Sequence, residues 1–293
     1  MIRPFSFYFN AETAVNNAFQ QNIVIEDANK KALMEFDEMV KTLTSKGIEV
    51  IVIQDTASPS TPDSIFPNNW ISFHKNNEIC LYPMFAANRR LERKPAVLNY
   101  FTNNYTINKI IDLTYFEEKN IFLEGTGSMV FDRKNQLVYA CVSERMNITV
   151  LKEWCTIFNY TYITFLASDN NNFPIYHTNV LMCVADKFVV ICLDCIKNNT
   201  EKMGVKNAIL NADKTIIEIS MEQMNMFAGN MLELNASDGK SYLIMSQSAY
   251  NSLNEIQINL IGKYSNIVAI PLFTIEKLGG GSARCMMAEV FLN

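Results

Sequence analysis

Short apolar strands alternate with amphipathic helices along the whole chain, and no Pro/Gly/Ser-rich linker interrupts them. That grammar confines the fold to the α/β class and predicts a single domain over residues 1–293. Ala32, Leu33, Phe36, Met39, Val40 and Leu43 fall at helical spacing within 27–46, and Gly47 follows as a stop signal. A buried strand is expected at 48–53, another at 79–84 and a helix at 95–103. Strands at 120–123, 127–132 and 137–142 lead to a helix at 148–158. A hairpin is expected from 180–184 and 188–192, turning across Ala185-Asp186-Lys187. Later strands fall at 216–219, 231–234, 242–245, 267–270 and 286–292, with a helix over 246–261. The strand–strand–helix unit recurs about five times without a detectable sequence repeat.

A net charge of −5 argues against a nucleic-acid binder, which would show a clustered basic face. Seven cysteines, without the dense even pattern of a secreted disulfide scaffold, point to a reduced compartment. Cys80, Cys141, Cys183 and Cys192 lie in apolar stretches and read as small buried hydrophobes. Two histidines and one CxxC supply too few ligands for a zinc site. The N-terminus lacks the pattern of a signal peptide, and no apolar run is long enough for a membrane span. The expectation is a soluble, cytoplasmic protein that binds neither membrane nor nucleic acid. Its oligomeric state, a homo-oligomer included, stays open.

Five polar islands interrupt the apolar pattern. They are Asp63-Ser64-Ile65-Phe66-Pro67-Asn68-Asn69-Trp70, Asn88-Arg89-Arg90-Leu91-Glu92-Arg93, Leu123-Glu124-Gly125-Thr126-Gly127-Ser128, Tyr176-His177-Thr178-Asn179-Val180 and Gly279-Gly280-Gly281-Ser282-Ala283-Arg284-Cys285. Each alone has a bland reading: a core histidine, a turn pair of asparagines, a solvated charged face. Together they supply more. Cys285 sits in a glycine-rich turn beside an arginine that can hold a thiolate, the nucleophilic form. His177 supplies a proton shuttle and Glu124 a carboxylate to orient it. His74 runs straight into a polar turn and keeps its structural reading.

The order FPNN, NRRLER, LEGTG, HTN and GGGSARC resembles the amidinotransferase/deiminase superfamily, the penteins, from Arg3-Pro4 to the C-terminus. The resemblance implies a five-bladed, pseudo-symmetric α/β propeller with the active site in its central channel. It implies Cys285 as nucleophile, His177 as general acid/base and Glu124 as the carboxylate near the reacting group. Arg90 or its neighbours, with Arg145, are similar to arginines that hold a substrate α-carboxylate. No metal or organic cofactor is implied.

The departures bear on the substrate. Guanidine-using members carry an Asp where this chain has Asn69, and many deiminases carry His-x-Asp where it has His177-Thr178-Asn179. The usual EGGD becomes Glu124-Gly125-Thr126-Gly127. Amides cannot neutralise a guanidinium, but they offer a carbonyl acceptor and an NH₂ donor to a neutral ureido group. Asn69, with Asn68 beside it, and Asn179 are therefore expected to bind citrulline or another ureido amino acid. The segments from Asn10 to Gln20 and from Phe227 to Glu233 also resemble the citrulline hydrolase branch, which cleaves L-citrulline to L-ornithine, carbon dioxide and ammonia. Two other readings remain: an arginine or methylarginine deiminase balanced by Glu124 alone, and a non-catalytic amino-acid-binding or interaction protein.

Overall fold

The computed structural model describes residues 1–293, and the strand–helix alternation resolves into five small sheets. Strands β1 (Ile2–Arg3) and β2 (Ile53–Gln54) form the first, in parallel, with Ile2 opposite Ile53. The other four sheets hold three strands each and repeat one plan. In the second, β3 (Ile71–His74) and β4 (Glu78–Leu81) make an antiparallel hairpin. Helix Pro95–Asn104 then carries the chain across to β5 (Lys109–Asp112), parallel to β4.

The third sheet joins β6 (Val130–Asp132), β7 (Leu137–Cys141) and β8 (Thr161–Phe165) through helix Ile148–Phe158. The fourth joins β9 (Met182–Val184), β10 (Phe188–Ile191) and β11 (Thr215–Glu218) through Asn199–Asn211. The fifth joins β12 (Leu232–Asn235), β13 (Ser241–Ser246) and β14 (Asn266–Ile270) through Gln247–Ser252 and Glu255–Gly262. A parallel pair cannot be joined by a tight turn, so each unit needs its helical crossover. Five such units fit the expected five-bladed plan.

The helices bury one stripe each. In Ala28–Ser45 the residues Ala32, Phe36, Met39 and Leu43 are buried, while Lys31, Glu38 and Lys41 face outward. Each large apolar side chain on such a stripe contributes about 2 kcal/mol of burial. Cys80, Cys141, Cys183 and Cys192 are buried among apolar neighbours, as expected. His74 is a core histidine: its Nε2 meets Ser72 Oγ at 2.7 Å and its ring stacks on Phe158. No helix is long and apolar enough to cross a membrane.

Several expectations need correction. Of 48–53 only Ile53 enters a ladder, and 286–292 forms no strand. Glu49, Val50 and Ile51, with Met287 to Leu292, instead line a largely apolar cleft. Residues 120–123 form no strand, and 127–132 contributes only Val130–Asp132, because Gly125–Ser128 is a helical turn. The helix expected over 246–261 breaks at Leu253, where Asn254 starts a new helix with a capping box.

Candidate active site

The loops that enter the inner ends of the blades bring the predicted residues together. Pro67 opens a 3₁₀ turn, Pro67–Asn69, that leads into β3. Glu124 precedes the helical turn Gly125–Ser128 ahead of β6. His177 precedes Thr178–Leu181 ahead of β9, and Cys285 lies in the turn Ala283–Met286. The turns are tied to one another. Thr178 Oγ1 donates to the Ser128 carbonyl at 2.6 Å, and Ser128 Oγ donates to the Arg145 carbonyl at 2.6 Å. The glycine-rich stretch serves as a helix end: Gly280, with φ of +62°, caps Phe273–Gly279. Its carbonyl accepts from Tyr176 Oη at 2.8 Å.

Asn69, Arg89, Arg145, His177 and Cys285 line one small cavity, together with Thr13, Asn17 and Asp63. His177 Nε2 lies 2.7 Å from Glu124 Oε2, and Arg145 Nη1 lies 3.5 Å from the same oxygen. Glu124 Oε1 accepts the Phe85 amide at 3.0 Å. A methyl group at Gly127 would sit 2.8 Å from His177 Nδ1 and would overlap Asn69 Nδ2, so both nitrogens flank the same small gap. Cys285 Sγ accepts hydrogen bonds from Asn230 Nδ2 at 3.2 Å and Asn179 Nδ2 at 3.5 Å.

Three placements differ from the sequence expectation. Arg90 points away from the cavity: it donates to the carbonyls of Met84 and Phe85 and lies 3.6 Å from Glu117. Arg93 is held by Glu117 as well. Arg89 is the arginine of that run that reaches the cavity, because successive residues of the turn Ala87–Arg90 point about 100° apart. It chelates Glu92 at 2.7 and 2.9 Å and donates from Nη1 to Asn69 Oδ1 at 2.7 Å. Asn68 turns behind Asn69 and donates to Thr126 Oγ1 at 3.1 Å. Arg284 does not hold the thiol: its guanidinium donates to the Met287 carbonyl and to Glu289.

A family model for eukaryotic N,N-dimethylarginine dimethylhydrolase matches residues 3–292. The chain belongs to that family, and so to the pentein superfamily. The fold agrees with solved structures. The N-terminal domain of ArgZ, covalently bound to a reaction intermediate, is 15% identical with a TM-score of 0.77, covering 99% of this chain and 96% of that one. A cysteine-to-alanine variant of AgrE with L-arginine is 17% identical with a TM-score of 0.76, over 99% of this chain and 40% of that one. A dimethylarginine dimethylaminohydrolase adduct with S-methyl-L-thiocitrulline is 12% identical with a TM-score of 0.65, over 97% and 96%. No functionally curated protein matches the sequence significantly.

In this pentein the site is electrostatically polarised. Burial alone would raise the Glu124 carboxyl, but the Arg145 charge, the His177 hydrogen bond and the Arg89 charge outweigh it and hold it at about 2. Burial lowers His177 to about 4, although the Glu124 carboxylate pulls the other way. The pair at neutral pH is therefore a carboxylate and a neutral imidazole. With Glu124 ionised, the 2.7 Å bond assigns the proton to Nε2 and leaves the Nδ1 lone pair as the base.

The same shift sets a stability slope. Unfolded His177 takes up a proton near its ordinary 6.5, whereas the folded residue resists until about 4. Stability therefore falls as pH drops from 6.5 to 4, then levels. Denaturant titrations across that range should show the wild type losing roughly 3 kcal/mol relative to His177→Gln. Parallel curves for the two proteins would refute the buried neutral imidazole.

One site residue, Asn230, was missed by the sequence reading. Asn69, Glu124, His177, Asn230 and Cys285 each stand just before the first strand or strand-like segment of a blade, at intervals of 55, 53, 53 and 55 residues. That spacing is the signal that would have found it. The repeat is invisible as sequence similarity because each blade keeps the position and changes the residue.

Proposed function

We propose that residues 1–293 act as one catalytic domain that hydrolyses the ureido C–N bond of L-citrulline, yielding L-ornithine, carbon dioxide and ammonia. The observation that carries this reading is the orientation of Asn69. Arg89 donates to its Oδ1, so its buried Nδ2 is left facing the cavity without an acceptor. A guanidinium presents only N–H donors and cannot satisfy that group; a ureido carbonyl can. Asn179 complements it: Nδ2 lies on the sulfur, and the buried Oδ1 has no partner. One free donor and one free acceptor match the C=O and NH₂ of a urea.

Cys285 attacks the ureido carbon, with its proton passing to His177 Nδ1 and the carbonyl oxygen turning towards Asn69 Nδ2. His177 returns the proton to the terminal nitrogen, which leaves as ammonia, and an S-thiocarbamoyl cysteine remains. Neutral His177 then takes a proton from water. Hydroxide adds to the thiocarbamoyl carbon, and the C–S bond breaks to return the thiol. The released carbamate loses carbon dioxide to give ornithine. Glu124 holds the imidazole in one tautomer throughout. Arg145, now spent on the Thr13 carbonyl and Asn16 Oδ1, is the arginine whose partners a substrate α-carboxylate replaces.

A second reading has support as well. One neighbouring structure is described as an arginine dihydrolase from the ornithine–ammonia cycle of cyanobacteria, and Glu124 supplies a carboxylate a guanidinium could approach. Purified protein supplied with equimolar citrulline and arginine decides between them. Ornithine and ammonia should appear from citrulline at least about 100-fold faster than any product from arginine. Preference for arginine would overturn the assignment.

A further inference from the structure

The blade that begins at β12 places an amide, Asn230, where other blades place the carboxylate, the imidazole and the thiol. We propose that Asn230 is a catalytic anion-stabilising residue, whose side-chain N–H is fixed on Cys285 Sγ to hold the attacking thiolate. This rests on the reading of Cys285 as nucleophile but on no choice of substrate. Asn230 is 1% exposed, and every polar position of its side chain is engaged. Oδ1 accepts the backbone N–H of Arg284 at 3.1 Å. Nδ2 donates to the Asn179 carbonyl at 2.9 Å and to Cys285 Sγ at 3.2 Å.

The first two partners are backbone groups of opposite polarity, and together they fix which end of the amide is which. A rotated amide would set Nδ2 against an N–H and Oδ1 against a carbonyl, losing both bonds. The remaining N–H therefore points at the sulfur whether or not the sulfur carries a proton. That is preorganisation: the donor is in place before charge develops, and no reorientation accompanies ionisation.

The backbone supports this placement. Phe227 has a φ of +63°, turning the chain just before the residue. Gly229 packs so closely that a Cβ there would collide with the Val180 carbonyl. Asn230 thus clamps the turn that carries His177 and Asn179 against the turn that carries Cys285. The adjacent Arg284 does not take this role, since its guanidinium is committed to Met287 and Glu289. Asn179 supplies a second, longer N–H at 3.5 Å, so the sulfur sits between two amides.

The chemistry separates a thiolate-stabilising role from a structural one. Asn230→Asp would place a carboxylate oxygen against both the sulfur and the Asn179 carbonyl; Asn230→Ala and Asn230→Ser remove the N–H without adding charge. Iodoacetamide alkylation of Cys285 is to be followed against pH for the wild type and all three variants, with Cys285→Ala as the blank. Substrate plays no part in this readout, so its outcome is independent of whether citrulline is turned over. The midpoint of the rate profile should move up by roughly one to two pH units in Ala and Ser, the worth of one hydrogen bond to a charged acceptor, and further in Asp. The loss in turnover should shrink as pH rises. Far-UV circular dichroism and thermal melting identify any variant that fails to fold, and Ser, the closest in polarity, keeps the test open if Ala or Asp does. Unchanged midpoints in the folded variants would overturn the proposal, as would rates lowered equally at every pH.

Discussion

Cys285→Ala should abolish ammonia and ornithine release, lowering turnover by at least about 10⁴-fold, while citrulline binding persists. The loss is large because no other thiol can replace it. Among the other six cysteines, burial raises Cys141, Cys155 and Cys183 to about 12 and pushes Cys80 higher still. Cys192 and Cys195 pack their sulfurs against Met221 and Met224, away from the cavity. Binding persists because the polar groups that face the cavity, Asn69, Arg145 and His177, are held by neighbours other than the sulfur. Citrulline should therefore still raise the melting temperature of the variant, even though nothing is released. Turnover within tenfold of the wild type would remove Cys285 from the chemistry.

How much of this was legible in the sequence follows from what each residue depends on. Strands flanked by turn residues were readable because both of their faces are buried and the apolar run is continuous, as in β4, β7 and the β9–β10 hairpin. The exposed strands β5 and β8 were not, since Lys109 and Ile110, like Thr161 and Tyr162, face solvent and break the apolar run. Helix Asn199–Asn211 buries only Val205 and Ile209, too thin a stripe to mark it. At the site, residue type carried Cys285, His177 and Glu124. Choosing Arg89 over Arg90 needed the phase of a helical turn. Arg284 adjoins Cys285 in sequence yet turns towards Glu289, which lies five residues further on and faces back. Sequence adjacency predicted a contact that backbone direction forbids.

Asn69→Asp should turn the preference of the site towards arginine, raising the arginine-to-citrulline ratio of kcat/KM by about 100-fold or more. The substitution is isosteric, and its consequence follows from which atom faces which neighbour. One carboxylate oxygen takes the place of Oδ1 and pairs with Arg89 Nη1, now at 2.7 Å from the amide oxygen. The other takes the place of Nδ2, where a donor into the cavity becomes an anionic acceptor. A guanidinium N–H then gains a charge-assisted partner, and a ureido carbonyl meets a negative oxygen it cannot bond. Gaining one interaction for the first ligand and losing one for the second each contribute roughly 1.5–3 kcal/mol, which together exceed two decades of selectivity. Arg89 and Arg145 oppose a second cation in the site, so arginine turnover should improve from a low base without reaching the original rate on citrulline. Asn69→Ser serves as the control: it removes the donor without adding charge, and should lower citrulline turnover with no gain on arginine. If Asp and Ser behave alike on arginine, the polarity of residue 69 does not select the substrate, and the argument from its fixed amide fails.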